Sequence, residues 1–257
     1  MKKRVLPVAA LWVGAMSLTM VANAADRNGG EGAQFPKGHY GALDARPDWG
    51  GIWTLNFAMP SATDPPNVPA LKGPYLEKFQ AWQRQVQATQ GDVPHEGSYC
   101  RPPGMPIIMM APQYPIEFLF TPGRVTIHHE AWMQWRNIFT DGRDHPADLD
   151  ATFNGHSTGH WDGNTLVVET VALKGVTEMG MGIGHSAKLR ILERLHLSKD
   201  DADTLLDELT LYDSEALEKP WSTRLTYKRD RKGELLEFEC AENDRNPVDS
   251  SGHVGFK

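Results

Sequence analysis

The sequence has little cysteine, no cluster of basic residues and, after its first residues, no long apolar run. Two of its 257 residues are cysteine, and 26 basic side chains stand against 33 acidic ones, for a net charge of −7. An acidic chain without basic clusters is a poor partner for nucleic acid or an anionic membrane. The spacings C-x-x-C, H-x-H and H-E-x-x-H are also missing, which disfavours a metal or redox site. We therefore expect a small-molecule ligand, with no nucleic-acid partner, no metal and no cofactor.

The one long apolar run lies at the start of the chain. A positive stretch at residues 2–4 precedes an apolar stretch over residues 5–21 and a small-x-small sequence at residues 22–24. This order is typical of a secretory signal peptide, and the run is short for a membrane span. We predict a signal peptide over residues 1–24, a flexible segment over 25–48 and a single domain over 49–257. The mature protein is then expected in the periplasm or outside the cell, with no membrane contact after cleavage.

The two cysteines, Cys100 and Cys240, favour one interpretation in an exported chain. An even number of cysteines outside the cytoplasm indicates a disulfide. Two free thiols or a redox pair are the alternative, and the missing C-x-x-C spacing disfavours the redox pair. A bridge would connect the N-terminal part of the chain to its last strand.

Alternating strand patterns dominate the chain, and helical spacing occurs once, over residues 75–90, where Gly91 follows as a stop. Hairpin turn sequences such as Asp162-Gly163-Asn164 separate several of the strands. About ten strands in meander order, without helices between them, are most economically closed into a barrel. We predict an all-β, antiparallel up-and-down barrel of about 8–10 strands, similar to lipocalins, with one N-terminal helix. The predicted strands cover residues 48–56, 116–120, 124–130, 133–140, 156–161, 165–173, 188–197, 204–212, 221–229 and 234–240.

One stretch, "GHSTG" at residues 155–159, matches G-x-S-x-G, the nucleophile elbow of α/β-hydrolases. That elbow needs a strand, a sharp turn and then a helix, whereas here a turn and a valine-rich strand follow. The pattern also arises by chance in a chain with 24 glycines. We therefore reject Ser157 as a hydrolase-type nucleophile.

Strand alternation places charged groups inside the predicted barrel. In the strand over 188–197, Glu193 falls on the apolar face that must point inward. A buried carboxylate is costly unless it is paired, so Glu193 is either a catalytic group or half of a buried ion pair. Arg136 is the candidate partner. Asp207 and His129 fall on inward faces in the same way, and a lone histidine there is more often a core residue than a catalyst.

Four other histidines fall in predicted loops or beside them: His145, His156, His160 and His185. Loops at a barrel mouth often carry function, and histidine exchanges protons near neutral pH. A zinc site formed by His156 and His160 is disfavoured, because four residues of extended chain separate their side chains by about 13 Å. The alternative for each Gly-His-Ser sequence is that glycine makes a turn and the polar side chains bind backbone.

The run "TDGRDHP … GHSTGHWDGNTLVVET … GHSAKLRILERL" resembles a family of exported bacterial proteins of about this length. Its signature is D-G-R-x-H-P, then G-H-S-x-G-x-W-x-G-x-T-L-V-V-x-T, and the resemblance spans residues 112–243. This chain departs from the family at Gly184, where proline is usual, and at His129, where an aromatic residue is common. The resemblance implies no activity. Carried over by position, its polar signature residues are Arg136, Asp141, Arg143, His145, His156, Ser157, His185, Ser186, Glu193 and Arg194.

These patterns together predict an exported barrel that holds a small apolar or aromatic molecule in its interior or mouth. The first hypothesis is a cofactor-independent lyase, isomerase or hydrolase that uses acid–base chemistry. The second is a non-catalytic periplasmic binding protein, and the third is a structural exported protein. The first hypothesis requires His156, His185 and Glu193 to converge on one pocket. The catalytic candidates are His145, His156, His185 and Glu193, and the ligand-binding candidates are His129, Arg136, Asp141, Arg143, Ser157 and Arg194.

Overall fold

The structure is a computed structural model that describes residues 40–56, 67–91, 93, 100–180 and 182–240. The predicted signal peptide, most of the segment over 25–48 and the last 17 residues of the predicted domain lie outside the described residues. Among the described residues, no helix is both long and apolar enough to cross a lipid bilayer.

Most of the described chain forms a closed β-barrel, as the sequence predicts. Its strands, with two outside the barrel, are β1 (Ile52–Leu55), β2 (Ile116–Thr121), β3 (Arg124–His129), β4 (Gln134–Phe139), β5 (His156–Asp162), β6 (Thr165–Val171), β7 (Glu178–Gly180), β8 (Ile183–Gly184), β9 (Arg190–Leu197), β10 (Thr204–Tyr212) and β11 (Trp221–Asp230). Nine of them close in the order β1-β11-β10-β9-β6-β5-β4-β3-β2. The strands β7 and β8 form a separate two-stranded sheet.

The barrel is not wholly antiparallel, which corrects one part of the prediction. The pair β4–β5 is parallel, whereas the other eight interfaces of the ring are antiparallel. The reason is parity: strands that alternate in direction around a closed ring must be even in number, and this ring has nine. The long connection over residues 140–155 carries the chain back along the barrel between β4 and β5, so that both strands run the same way.

Side chains alternate across the barrel wall as a strand requires. Along β9, the residues Ile191, Glu193 and Leu195 are fully buried, whereas the residues between them are partly exposed. Aromatic rings fill the end of the barrel that holds the β2–β3 and β5–β6 turns. There Trp49 packs against Phe118 and Trp161, with ring centroids 4.9 and 5.5 Å away. The segment before β2 and the β7–β8 sheet lie at the opposite end.

The predicted helix is present as α1 (Gly73–Ala88), two residues earlier than expected. A proline in its first turn suits the start of a helix, where the missing N–H is not needed. The helix buries no residue completely and packs beside β8. Trp82 lies so close to Gly182 that a Cβ there would stand 2.3 Å from the indole ring. That glycine therefore permits the helix to dock.

The predicted strand over residues 234–240 is wrong, because no strand forms there. The barrel is already closed by β1, which pairs with β11 on one side and β2 on the other, so no edge is left to receive another strand. Phe238 packs instead against the rings of Tyr114 and Trp132. The predicted disulfide between Cys100 and Cys240 is present and joins positions 140 residues apart.

Candidate functional site

An ion pair lies inside the barrel. Arg136 on β4 and Glu193 on β9 are 1% and 0% exposed. Both oxygens of Glu193 accept hydrogen bonds from the guanidinium, with 2.8 Å from Nη1 to Oε1 and a short contact from Nη2 to Oε2. This is the two-pronged geometry that arginine offers a carboxylate. The structure thus places together the two residues that alternation proposes as partners, and it fits the ion-pair interpretation of Glu193.

Two hydroxyls complete the coordination of Arg136. Ser157 accepts from Nε at 3.2 Å, and Thr170 accepts from Nη2 at 2.8 Å. The two hydroxyl oxygens are 2.8 Å apart and bond to each other. Ser157 makes no hydrogen bond to a histidine among the described residues, so the structure gives it no activating base. In the G-x-S-x-G stretch, Gly159 lets β5 pack closely, since a Cβ there would lie 2.9 Å from Ile138.

Two further titratable groups are buried beside the ion pair. The oxygens of Asp207 and the nitrogens of His129 have no hydrogen-bond partner among the described residues. Burial raises the pKa of Asp207 well above its ordinary value, and the Glu193 carboxylate raises it further. Burial lowers the pKa of His129 to about 3, and Arg136 and His128 add to that effect. Burial therefore disfavours the charged form of both side chains.

Asp207 should make the barrel less stable as the pH rises. Because its pKa is higher in the folded than in the unfolded chain, the folded state holds an extra proton above about pH 4, the ordinary aspartate value. The free energy of unfolding then falls by up to about 1.4 kcal/mol per pH unit from this group, until Asp207 ionises in the folded state. Urea unfolding from pH 4 to pH 8 should show Asp207→Asn gaining stability over the wild type as pH rises. The exposed neighbour variant Glu208→Gln serves as the control, and a pH-independent difference for Asp207→Asn would contradict the prediction.

A second cluster lies on the outer face of the barrel, around His145 and His156. His156 begins β5 and points outward because its neighbour Ser157 points inward. Its Nδ1 atom lies 2.8 Å from Nδ1 of His145, which comes from the β4–β5 connection. The Nε2 atom of His145 lies 3.2 Å from the hydroxyl of Thr158 and 3.7 Å from Glu169. Burial lowers the pKa of His156, and the neighbouring His145 and Arg143 lower it further.

The other signature residues of the connection support this cluster. Arg143 donates from Nε and Nη2 to the carboxylate of Asp141, at 2.9 and 2.5 Å, which holds the pKa of Asp141 below its ordinary value. The same guanidinium lies 4.0 Å from the ring centre of Phe139, and that ring stacks on His156. The sequence "DGRDHP" therefore builds one wall beside the histidine pair.

A groove opens next to this wall, where β4 and β5 diverge. The parallel pairing of the two strands covers two positions, Ile138 with Ser157 and Phe139 with Thr158. The gap that results has a volume of about 350 Å³. Asn154 contributes a buried amide oxygen without a hydrogen-bond partner among the described residues. The groove is lined by Gln134, Trp135, Asn137, Phe139, Thr152, Phe153, Asn154, Gly155 and His156.

The second Gly-His-Ser sequence lies in a different environment. His185 is 3% exposed, with Nε2 at 2.6 Å from the hydroxyl of Thr177 and Nδ1 at 2.7 Å from the carbonyl of Ser186. Ser186 donates to Asp213 from its amide at 2.7 Å and from its hydroxyl at 2.8 Å. This sequence therefore joins the segment before β9 to the end of β10. His185 bonds to backbone as the turn-building alternative expects, whereas Gly184 lies in β8 and not in a turn.

The expected convergence of His156, His185 and Glu193 on one pocket is not what the structure shows. His156 lies on the outer face, Glu193 in the interior, and His185 at the barrel end among Thr177 and Ser186. The reason lies in alternation, since the polar residues of β5 are adjacent in sequence and face opposite sides of the wall. The candidates Arg136, Ser157, Glu193 and His129 are interior, whereas Asp141, Arg143, His145 and His156 are together outside.

The remaining candidate and two residues that the sequence does not indicate are also on the outer face. Arg194 forms an exposed ion pair with Asp162 at 3.1 Å, away from both clusters. Glu169 on β6 receives a hydrogen bond from Arg190 at 2.8 Å and lies beside His145. Strand alternation places Glu169 on the outer face, where polar residues are usual, so the sequence pattern does not distinguish it from other surface residues. Asn154 was missed because it lies in an irregular segment.

No protein-family model matches this chain, and no curated protein matches it in sequence.

Proposed function

We propose that the protein binds a small molecule with an aromatic ring, in the groove beside His156. The observation that carries the proposal is the groove itself, which places three aromatic rings, three side-chain amides and the imidazole of His156 around about 350 Å³. This volume lies at the lower end of the range for small-molecule sites. The site is on the outer face of the barrel, whereas the sequence pointed to the interior or mouth.

The chemistry of the lining supports a flat ligand with a polar hydrogen. Trp135 is 50% exposed, and its ring is held by stacking on His128 at a centroid distance of 3.8 Å. A held, exposed ring is a good stacking surface. The amide of Asn137 and the imidazole of His156 also line the groove, and both can exchange hydrogen bonds with a ligand hydroxyl or N–H group. An aromatic molecule with such a group can make both kinds of contact.

The interior is better suited to stability than to binding. Arg136 and Glu193 satisfy each other there, and apolar side chains from each strand of the ring surround them. A non-catalytic binding protein and an acid–base lyase, isomerase or hydrolase both remain compatible with the outer groove. The His145–His156 contact favours the enzyme, since histidine exchanges protons near neutral pH and these two half-buried rings are hydrogen-bonded to each other.

We also propose that the protein acts outside the cytoplasm, as a member of the exported family that it resembles. The signal-like start of the sequence and the Cys100–Cys240 disulfide support this location, because disulfides persist in oxidising compartments.

Binding of 4-nitrophenol, a flat ring with a hydroxyl donor, tests the groove. We expect the wild type to bind it in equilibrium dialysis, and Trp135→Ala to bind about tenfold more weakly, the worth of about 1.4 kcal/mol of lost stacking. Tyr40→Ala removes an exposed ring that does not line the groove and should bind as the wild type does. Equal affinity of the wild type and Trp135→Ala, or no binding to the wild type, would refute the proposed site.

A further inference from the structure

The contact between His145 and His156 restricts where their protons lie. A hydrogen bond between two imidazole nitrogens needs one that carries a proton and one that does not. The Nδ1 atoms of the two rings are 2.8 Å apart, so one of these atoms donates and the other accepts. In a neutral imidazole only one of the two nitrogens carries a proton. The ring whose Nδ1 donates therefore has an acceptor at Nε2, and a neutral ring whose Nδ1 accepts has a donor at Nε2.

The groups around His145 set the direction of this hydrogen bond. Its Nε2 atom lies 3.7 Å from the carboxylate of Glu169, which is an acceptor without a hydrogen of its own. Arg190 holds the same carboxylate from the other side, with 2.8 Å from Nη1 to Oε1. The Thr158 hydroxyl, 3.2 Å from Nε2, can donate to this nitrogen or accept from it, and the negative charge of Glu169 favours the arrangement in which Nε2 carries the proton. In the neutral ring, Nδ1 of His145 is then the acceptor.

We propose that Glu169 and His145 fix His156 with its proton on Nδ1, so that its Nε2 faces the groove as a base for the bound aromatic ligand. This proposal rests on the proposed function. His156 lines the groove, and no described residue hydrogen-bonds to its Nε2 atom. His156 touches the ligand in this arrangement, whereas His145 and Glu169 are positioning residues.

The charges around His156 agree with a neutral ring that can accept a proton. His145 and Arg143 both lower its pKa, and burial lowers it more than either. Arg143 is hydrogen-bonded to Asp141 and Arg190 to Glu169, so each cation near the histidine pair has a carboxylate partner. The ring of Phe139 covers one face of His156. The imidazole is therefore uncharged near pH 7, with its lone pair available.

The proton transfer balances without a further reactant. The O–H or N–H bond of the ligand breaks, the proton forms a new bond to Nε2 of His156, and the ligand keeps the electron pair as an anion. The imidazolium and the anion attract each other in the groove. Return of the proton to the same atom gives reversible ionisation, and return to a conjugated atom gives a proton-shift isomer. The ligand class is accordingly aromatic molecules with an acidic hydroxyl or N–H.

Nitrogen-15 NMR of the histidine rings, without ligand, tests the proton positions. Long-range proton–nitrogen correlations at neutral pH should show His156 with its proton on Nδ1 and His145 with its proton on Nε2. In His145→Ala the acceptor is lost, and His156 should shift towards the Nε2–H form that free histidine prefers. His160→Ala, an exposed histidine on the same face of β5, should leave His156 unchanged. The proposed proton positions would be overturned by a wild-type His156 protonated on Nε2, or by a His156 tautomer that is the same in the wild type and in His145→Ala.

A second readout uses the colour of 4-nitrophenol, whose phenolate absorbs at a longer wavelength than the phenol. Bound to the wild type, the probe should ionise at a lower pH than when bound to His156→Ala. An unshifted bound probe in both proteins overturns the role of His156 as a base, even if the probe binds. Failure of the probe to bind refutes the proposed function. The NMR experiment still tests the proton positions on His145 and His156, because it uses no ligand.

Discussion

Replacing Arg136 by methionine should lower the free energy of unfolding by about 3–5 kcal/mol, the cost of leaving a buried charge without its partner. Arg136 and Glu193 are almost completely buried, and the carboxylate has both oxygens on the guanidinium. Methionine fills much of the arginine volume, but its side chain has no hydrogen-bond donor for Glu193. Urea unfolding measured by circular dichroism gives the free energy for each variant.

Two companion variants separate the lost charge pair from other effects. In Arg136→Met with Glu193→Leu, both charges are gone, and most of the loss should be recovered because the desolvation cost disappears as well. Ser157 and Thr170 still bond to each other there. Arg194→Met breaks an exposed pair and should cost less than about 1 kcal/mol. A loss below about 1 kcal/mol for Arg136→Met would mean that the interior pair does not stabilise the barrel.

Removal of the disulfide should be the second large effect. The double variant Cys100→Ser with Cys240→Ser should lose about 2–5 kcal/mol of unfolding free energy, towards the upper end because the bridged cysteines lie 140 residues apart. The bridge acts mainly by restricting the unfolded chain. Thermal melting should give a lower midpoint for this variant.

The reduced wild type provides the matched control for the bridge. With a reductant it should melt like the double serine variant, and without reductant it should show no reactive thiol when unfolded. A midpoint for the double serine variant equal to that of the oxidised wild type would show that the bridge does not stabilise the fold.

The sequence predicts the barrel well because strand alternation is a local property. Glu193 lies in a run of leucine and isoleucine at every second position, so its burial follows from the strand alone. The helix follows in the same way from its spacing and from the glycine that ends it. Two cysteines leave one possible intramolecular pairing, and the disulfide needs no three-dimensional information.

The candidate site was harder to predict because it depends on the return of the chain between β4 and β5. His145 and His156 are eleven residues apart, and nothing in their spacing brings their rings together. Their contact needs the parallel placement of β5, which follows from an odd number of strands in the ring. The same geometry explains the failed strand over 234–240, since the pattern of that segment is strand-like while the ring has no edge left. Asn154 becomes important only as a lining residue of the gap that this placement opens.

The number of paired positions differs between strand interfaces, and the two weakest interfaces divide the barrel into two groups of strands, here called leaves. Two interfaces have two paired positions each, β1–β2 and β4–β5, whereas β9–β10 and β10–β11 have eight each. The strands β2, β3 and β4 form one leaf, and the other six form the second. Arg136 on the small leaf reaches Glu193, Ser157 and Thr170 on the large leaf, so the interior ion pair is a latch between them.

Two hinges follow from this division, and they differ in how they are closed. The disulfide joins the segments that flank the β1–β2 hinge, since Cys100 precedes β2 and Cys240 follows β11. The β4–β5 hinge is crossed by no disulfide among the described residues, and the groove lies along it. Opening of the protein by local unfolding would therefore begin at the groove, where few backbone hydrogen bonds must break. A ligand that spans β4 and β5 there would hold the two leaves together. Ligand binding and local opening of the ring would then be coupled, since each would oppose the other.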